Sequence, residues 1–209
     1  GLARIRVPTF QSASCRYIDQ AARRRRDGVV MVGEIATVLL AAGRGERSGK
    51  EGGPKQYRHI GGKPVIRHTL DALHRHNPSG RIVLVIHKDD ADLAQTAIAG
   101  FSGTVELVTG SCTRQASTLK GLEALAPHRP EFVFIHDGVR PFLDSALLDR
   151  LIEALQSSPA VIPALAVAET IKRTEGGLIT GTTDRAGLRA AQTPQAFRFR
   201  DIYDAHLQT

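Results

Sequence analysis

Short apolar runs rich in β-branched residues recur at 35–40 (Ile-Ala-Thr-Val-Leu-Leu), 81–86 (Arg-Ile-Val-Leu-Val-Ile), 104–108 (Thr-Val-Glu-Leu-Val) and 131–135 (Glu-Phe-Val-Phe-Ile). These read as strands. Between them the apolar positions switch to a helical period, with Val65, Ile66, Leu70 and Leu73 on one stripe of 64–75, Leu119, Leu122 and Leu125 on 113–125, and Leu147, Leu148, Leu151 and Leu155 on 144–155. Strand–helix alternation of this kind predicts an α/β fold with a mainly parallel sheet covered by helices on both faces. Ligands of such sheets bind outside the carboxyl ends of the strands. The glycine-rich segment after the first run and His136-Asp137 after the fourth both fall there.

The rhythm breaks at 166–187, which has too few apolar residues for a core of its own and reads as a hairpin turning at Gly176-Gly177. A last helical segment is expected over Phe199–Leu207. No internal repeat or low-complexity stretch is visible.

The 209 residues, 42% of them hydrophobic, can bury a substantial core as one domain. The formal charge of +7 invites a nucleic-acid reading, but residues 1–30 hold seven arginines against Asp19 and Asp27, so +5 of it sits there. The +2 left on 31–209 argues against a basic face across the folded body. The expected partners are therefore small molecules, not nucleic acid. Cys15 and Cys112 match no metal or disulfide spacing, which points to a reducing, cytoplasmic setting, and no apolar run approaches membrane-spanning length. Residues 1–30 are Arg-rich and acid-poor, and Met31 is the single methionine. The expected domain is thus 31–209, behind an N-terminal extension that is disordered or extraneous. A solvated basic tail and an organellar transit segment are the alternatives for that extension.

Chemistry concentrates first in 38–57, where an apolar strand runs into a glycine-rich loop studded with Arg44, Arg47, Lys50 and Lys55. Small residues at Ala41, Ala42, Gly43 and Gly45 let backbone N–H groups approach anionic oxygens, and the cations add charge, so the loop is expected to cradle a triphosphate. Neither standard glycine loop fits. A dinucleotide fingerprint needs a small residue where Ser48 stands, and a Walker A loop needs glycine at Arg44. The pattern Leu40-Ala-Ala-Gly-Arg-Gly-Glu-Arg47 followed by Pro54-Lys-Gln-Tyr57 instead resembles nucleotidyltransferases that join a polyol or sugar phosphate to a nucleoside triphosphate. Pro-Lys-Gln-Tyr narrows the resemblance to the CTP-using 2-C-methyl-D-erythritol 4-phosphate cytidylyltransferase family of non-mevalonate isoprenoid synthesis.

The resemblance runs from about Ile35 to about Phe199 and implies a Rossmann-like nucleotidyltransferase fold. It assigns Arg47 and Lys55 to the triphosphate and to charge developing at the α-phosphorus. Gly110-Ser-Cys-Thr-Arg-Gln-Ala-Ser117 is similar to the family's Gly-Gly-x-x-Arg-x-x-Ser, with Ser111 in place of the second glycine and Cys112 where an aspartate often occurs. Gly110, Ser111, Arg114 and Ser117 are thereby expected at the nucleotide; Ser111 or Thr113 can equally cap the helix that follows.

Ile135-His-Asp-Gly-Val-Arg-Pro141 matches the family's His-Asp-x-x-Arg-Pro. An aspartate at the end of an interior strand needs a cation, and Mg²⁺ held jointly by Asp137 and a triphosphate answers that need. An internal Asp137–Arg140 ion pair shaping the loop is the alternative. His136 reads as structural, since the attacking phosphate oxygen is already ionised near neutrality. Asp137 and Arg140, together with Thr170, Lys172, Arg185 and Thr193 on the arm and beyond it, are assigned by resemblance to the second substrate's phosphate. Thr170 and Arg185 would act across a homodimer formed through the arm.

The expected reaction is transfer of CMP from CTP to 2-C-methyl-D-erythritol 4-phosphate, with release of pyrophosphate. Ribitol 5-phosphate cytidylyltransferase and a non-catalytic nucleotide-binding module are the alternatives. The wording of the glycine loop and of His-Asp-Gly-Val-Arg-Pro also resembles fusions to a cyclodiphosphate synthase. The family pattern continues past Thr209 with a threonine-bearing segment and a further strand, and the chain begins at Gly1. Both ends are therefore expected to be those of an incomplete reading frame, with weak CTP binding and poor turnover as the consequence.

Overall fold

The computed structural model describes residues 15–19, 34–44, 53–101 and 103–208. Its strands in chain order are β1 (Cys15–Asp19), β2 (Ile35–Ala41), the two-residue β3 (His59–Ile60) and β4 (Lys63–Pro64), β5 (Ile82–Ile86), β6 (Val105–Thr109), β7 (Phe132–Asp137), β8 (Ala160–Ala166), β9 (Ile171–Glu175), β10 (Leu178–Thr183), β11 (Arg189–Ala191) and β12 (Gln195–Arg198). The helices are α1 (Val65–His76), α2 (Ala91–Ala97), α3 (Arg114–Leu125), α4 (Ser145–Leu155) and α5 (Phe199–Leu207).

One large sheet has the order β1-β8-β12-β7-β2-β5-β6, with β11 paired to β8. β7, β2, β5 and β6 run parallel as neighbours, while β12 runs antiparallel to both β7 and β8. The predicted alternation therefore holds for these four parallel strands. β8, β12 and α2 were not predicted from the pattern. Pro163 interrupts the β8 run and argues against a strand, β12 has only four residues, and α2 is a seven-residue helix rich in alanine. β1 lies inside the segment expected to stand apart from the domain, yet it pairs in parallel with β8 from Cys15 opposite Ala160 to Asp19 opposite Ala164. The Arg189 guanidinium sits 5.5 Å from the centre of the Tyr17 ring. Residues 45–52, which carry Gly45 and Arg47, lie outside the described residues, as does the remainder of 1–30.

Alternation along β2 divides the core. Leu39 and Ala41 pack with Ile66, Leu70 and Leu73 of α1 and Ala94 and Ala97 of α2. Ala36 and Val38 pack on the other face with Leu122 and Leu125 of α3 and Phe199 and Ile202 of α5. α4 closes the far part of the sheet, where Leu148, Leu151 and Leu155 meet Phe132, Phe134 and Val161. β9 and β10 stand off this body as an antiparallel hairpin. Its turn is made by Gly176 and Gly177 at φ 56° and 82°, a positive-φ pair suited to a two-residue hairpin loop.

α3 approaches the sheet closely because Gly121 has no side chain. A Cβ there would lie 2.5 Å from Val38 Cγ1 and 3.1 Å from Val85 Cγ2, and both valines are fully buried. Gly121→Ala gains roughly 1 kcal/mol of helix propensity. Overpacking a stiff core typically costs about 1–3 kcal/mol, and the 2.5 Å approach makes that the larger effect. The expected outcome is a net loss of stability, measured as a lower denaturant midpoint at unchanged slope.

Candidate nucleotide site

A cavity of about 670 Å³ opens where β7, β2, β5 and β6 end. Its wall is built from four loops, one at each carboxyl end: Ala42–Arg44 after β2, His87 and Lys88 after β5, Gly110–Thr113 after β6, and Asp137 with Val139 at the end of β7. The size lies within the usual range for small-molecule sites, roughly 300–1,000 Å³.

The loop after β6 is locked from inside. The Ser117 hydroxyl accepts from Ser111 N at 2.9 Å and donates to Ser111 O at 3.1 Å, and the side chain is almost completely buried. Thr113 is the N-cap of α3, its side chain accepting from Ala116 N at 3.0 Å. Gly110 is required by packing, since a Cβ there would come within 2.7 Å of Ala42 Cβ and 2.9 Å of Ser117 Oγ. Gly43 is different: no described residue lies within 4 Å of where its Cβ would stand, and its φ is not in the left-handed region. Packing among the described residues gives no reason for glycine at that position.

Lys55 reaches the cavity from a 3-10 turn, Lys55–Tyr57, opened by Pro54, whose carbonyl accepts from Tyr57 N at 3.0 Å. The turn buries Gln56 and Tyr57, and burial, with Asp90 nearby, raises the Tyr57 phenol above its ordinary range. Lys55 makes no ion pair with any described residue.

Arg44, expected among the triphosphate cations, is occupied elsewhere. Its guanidinium bonds Asp90 Oδ1 at 2.9 Å and Asp89 Oδ2 at 2.8 Å, and also meets His87 Nδ1. The reason is electrostatic: the Asp90 carboxyl group is only 2% exposed, and a buried acidic group is costly without a hydrogen-bonding cation beside it. Gln56 joins the same group, donating from Nε2 to Ala41 O at 2.7 Å and approaching Gly43 O at 3.4 Å and Asp90 Oδ2 at 3.5 Å. Sequence reasoning gave Gln56 and Asp90 no role, and His87 and Lys88 none either. Their signal was positional, because they follow the run 81–86 at the carboxyl end of a central strand.

At the end of β7, Asp137 takes Arg114 on Oδ1 at 3.1 Å and Arg140 on Oδ2 at 3.1 Å, so the internal Asp137–Arg140 pair does form. Arg140 also donates to Gln192 Oε1 at 3.0 Å. His136 is fully buried, with Nε2 donating to Arg140 O at 3.0 Å and thereby tying the Asp137–Arg140 turn together. Among the described residues no cluster of three or more His, Cys, Asp or Glu side chains is arranged to hold a metal.

Gly45 and Arg47 lie outside the described residues, and Thr170, Lys172, Arg185 and Thr193 do not line the cavity. Lys172 donates to Thr182 Oγ1 across the hairpin at 2.8 Å, Arg185 donates to Ala168 O, and Thr170 is exposed. Thr193 precedes the cis peptide to Pro194, its hydroxyl buried without a partner among the described residues. The single chain thus collects Ala41, Ala42, Gly43, Lys55, Gly110, Ser111, Arg114, Ser117 and Asp137 at one cavity and leaves the arm residues outside it.

A parallel sheet whose strand ends converge on a glycine loop, a lysine and an arginine–aspartate cluster has the architecture of an α/β nucleotidyltransferase. The model of the family described as IspD, 2-C-methyl-D-erythritol 4-phosphate cytidylyltransferase, matches residues 35–209, and the chain belongs to that family. It is 52% identical over 174 residues to a bifunctional enzyme IspD/IspF of Chelativorans sp., covering 82% of this chain and 43% of the relative. With the bifunctional IspD/IspF of Rhodospirillum rubrum the identity is 47% over 173 residues, covering 83% and 45%. The chain therefore spans less than half the length of these curated relatives. Among solved structures, a 4-diphosphocytidyl-2C-methyl-D-erythritol synthase of Anaerococcus prevotii superposes with a TM-score of 0.71 at 36% identity, over 84% of this chain and 76% of that one. The bifunctional IspDF of Campylobacter jejuni gives 0.70 at 27% identity, over 84% and 44%. Among the described residues no helix is long and apolar enough to cross a membrane.

Burial holds the His136 pKa down at about 4, so the ring is neutral in the folded chain at neutral pH. The unfolded chain has an ordinary histidine near pKa 6.5. The stabilising contribution is therefore complete above pH 6.5 and is lost as the pH falls toward 4, by about 3 kcal/mol in all. His136→Gln can still donate from Nε2 and does not titrate. The expected outcome is that the unmutated chain loses about that much more stability than the variant between pH 7 and 4, measured by denaturant unfolding across the range.

Proposed function

We propose that the chain transfers CMP from CTP to 2-C-methyl-D-erythritol 4-phosphate, releasing pyrophosphate. The observation that carries the reading is Lys55, without an ion-pair partner among the described residues, in a cavity walled by the glycine loop and by Gly110–Thr113. A phosphate oxygen of the polyol attacks the α-phosphorus in line, the bond from that phosphorus to the bridging oxygen breaks, and pyrophosphate departs. Such transfers need little covalent help from protein, so fixed cations and positioning supply most of the acceleration. Lys55, with Arg47 of the same loop, neutralises charge on the triphosphate. Backbone groups of Ala41, Ala42, Gly43, Gly45, Gly110 and Ser111 hold the nucleotide. The Ser117 hydroxyl keeps one lone pair beyond its two bonds to Ser111, available to a donor on the base.

A divalent cation fits as a shared site. Asp137 is flanked by two arginines, a surrounding that repels an isolated Mg²⁺ and accepts one that arrives with a triphosphate. Mg²⁺ of this kind takes one or two carboxylates, with phosphate oxygens and water completing the shell. Asp137 would hold it, and bound there it would neutralise triphosphate charge. Arg114 and Arg140 keep the carboxylate oriented in the meantime.

The acceptor half of the site is proposed to be completed across a homodimer. Thr170, Lys172, Arg185 and Thr193 are absent from the cavity of their own chain, and the arm exposes Leu178 and Ile179 at 74% and 67%. An exposed apolar pair on a protruding hairpin suits burial against a second copy, which would carry Arg185 and Thr170 to the neighbour's acceptor phosphate.

Pyrophosphate release with CTP is tested against methylerythritol phosphate, ribitol phosphate and sugar 1-phosphates. The first should be preferred, and dependence on ribitol phosphate, or no turnover despite nucleotide binding, would replace the reading. In the same assay Lys55→Ala should lower kcat by roughly a hundredfold or more, the usual scale for losing a transition-state charge contact. Gly43→Ala should melt like the unmutated chain and yet bind CTP poorly, because no described residue fills the space beside Gly43 and the bound triphosphate is proposed to approach there. Mixing Arg185→Ala chains with Lys55→Ala chains should restore activity, since a mixed dimer contains one intact composite site. No recovery under demonstrated subunit exchange would put both residues in one subunit's site.

A further inference from the structure

We propose that Asp90, Gln56 and Arg44 form a positioning clamp that sets the geometry of the nucleotide loop from behind. The proposal rests on the reading that the cavity takes a nucleoside triphosphate. None of the three is assigned to the ligand by the family motifs, and their bonds join segments distant in sequence. Asp90 terminates the turn after β5 and is 2% exposed. Through Arg44 Nη1, at 2.9 Å, it holds the glycine loop where that loop leaves β2. Gln56, equally buried, donates to Ala41 O at 2.7 Å and lies 3.5 Å from Asp90 Oδ2. Gln56 is the immediate neighbour of Lys55. The same buried carboxylate therefore fixes the strand end that presents Ala41–Gly43 and the turn that presents the Lys55 ammonium. Asp89 Oδ2 and His87 Nδ1 hold the Arg44 guanidinium from the turn after β5, so that it stands at the cavity wall with its donors engaged by protein groups.

The arrangement has a chemical consequence. Arg44 is spent on carboxylates and gives the triphosphate no direct contact. It acts on the nucleotide only by holding backbone, whereas a ligand-binding arginine would act independently of Asp90. The two roles separate in a double-mutant cycle.

CTP affinity is measured calorimetrically for Arg44→Gln, Asp90→Asn and the double variant, with folding checked by thermal melting. The expected result is a loss of about tenfold in each single variant and a double variant no weaker than the weaker single, because both changes open the same clamp. In turnover, KM for CTP rises and KM for the polyol phosphate does not, a split that a general loss of structure would not produce. Losses that multiply would place Arg44 on the phosphates and overturn the proposal, as would a folded Asp90→Asn chain with unchanged CTP affinity. Should Asp90→Asn fail to fold, the cycle is run with Asp89→Asn, whose side chain is 61% exposed, under the same two outcomes. Amide exchange at Ala42, Gly43 and Arg44 reads the clamp without any ligand: faster exchange in Arg44→Gln is expected, and unchanged exchange overturns the proposal. If the unmutated chain binds no CTP while exchange in Arg44→Gln is faster, the nucleotide reading fails and the clamp stands.

Discussion

The constraint on which the rest of the structure depends is the common direction of β7, β2, β5 and β6. Parallel neighbours cannot be joined by tight turns, so each connection crosses back over the sheet, and the crossings supply the helices that cover both faces. The same directionality leaves four chain exits side by side at one edge. Loops at those exits are free of the packing that occupies the strands, and their backbone polar groups need partners that the sheet does not provide. The cavity is the place where those exits meet, and its lining follows from the topology before any side chain is considered.

Charge is then apportioned between structure and ligand. Asp90 and Asp137 both end or follow central strands, and both meet arginine: Arg44 for the first, Arg114 and Arg140 for the second. The difference lies in solvent. Asp90 is sealed, so its pair serves rigidity, since removing one partner of such a pair leaves an uncompensated charge. The Asp137 side chain is 25% exposed, and its arginines are about half exposed, so that cluster can rearrange around an incoming anion at lower cost. Lys55 has no carboxylate partner among the described residues. An unpaired lysine between two arginine–carboxylate clusters gives the cavity a net pull on polyanions, although residues 31–209 carry a formal charge of only +2.

Much of this was legible in the sequence because the information was local. The runs at 35–40 and 131–135 are predominantly apolar stretches that sit as buried interior strands, and the stripes at 64–75 and 144–155 have a period that fits one face. The glycine loop and His136-Asp137 could be grouped because strand direction is implied by strand–helix alternation. What escaped depends on tertiary context. β8 contains Pro163 and is recognisable only once β12 and β1 flank it. Arg44 looks like every other cation in its loop until Asp90 is brought beside it from 46 residues away. The two bonds by which the Ser117 hydroxyl locks Ser111 within the loop could not be read from their spacing alone, although Ser117 does line the cavity as expected. Cys15–Asp19 shows no helical or strand period strong enough to be separated from an arginine-rich surrounding.

The arm places a different demand on the chain. Two strands alone are marginal in water, and β9 and β10 carry almost entirely exposed side chains, with a register shift between Ile179 and Gly181. Lys172 to Thr182 is a contact between two surface side chains and is too weak to define an orientation on its own. Apolar residues at Leu178 and Ile179 beside the turn are the opposite of what an isolated hairpin needs for solubility, and they sit at its tip, farthest from the core that could cover them. The proposed second copy would resolve both difficulties together: it would bury the tip and give the hairpin a surface to lie on. The proposed dimer thus follows from the arm's own physical chemistry as well as from the location of Arg185 and Thr170. In that arrangement, completion of the acceptor site and stabilisation of the arm are a single event.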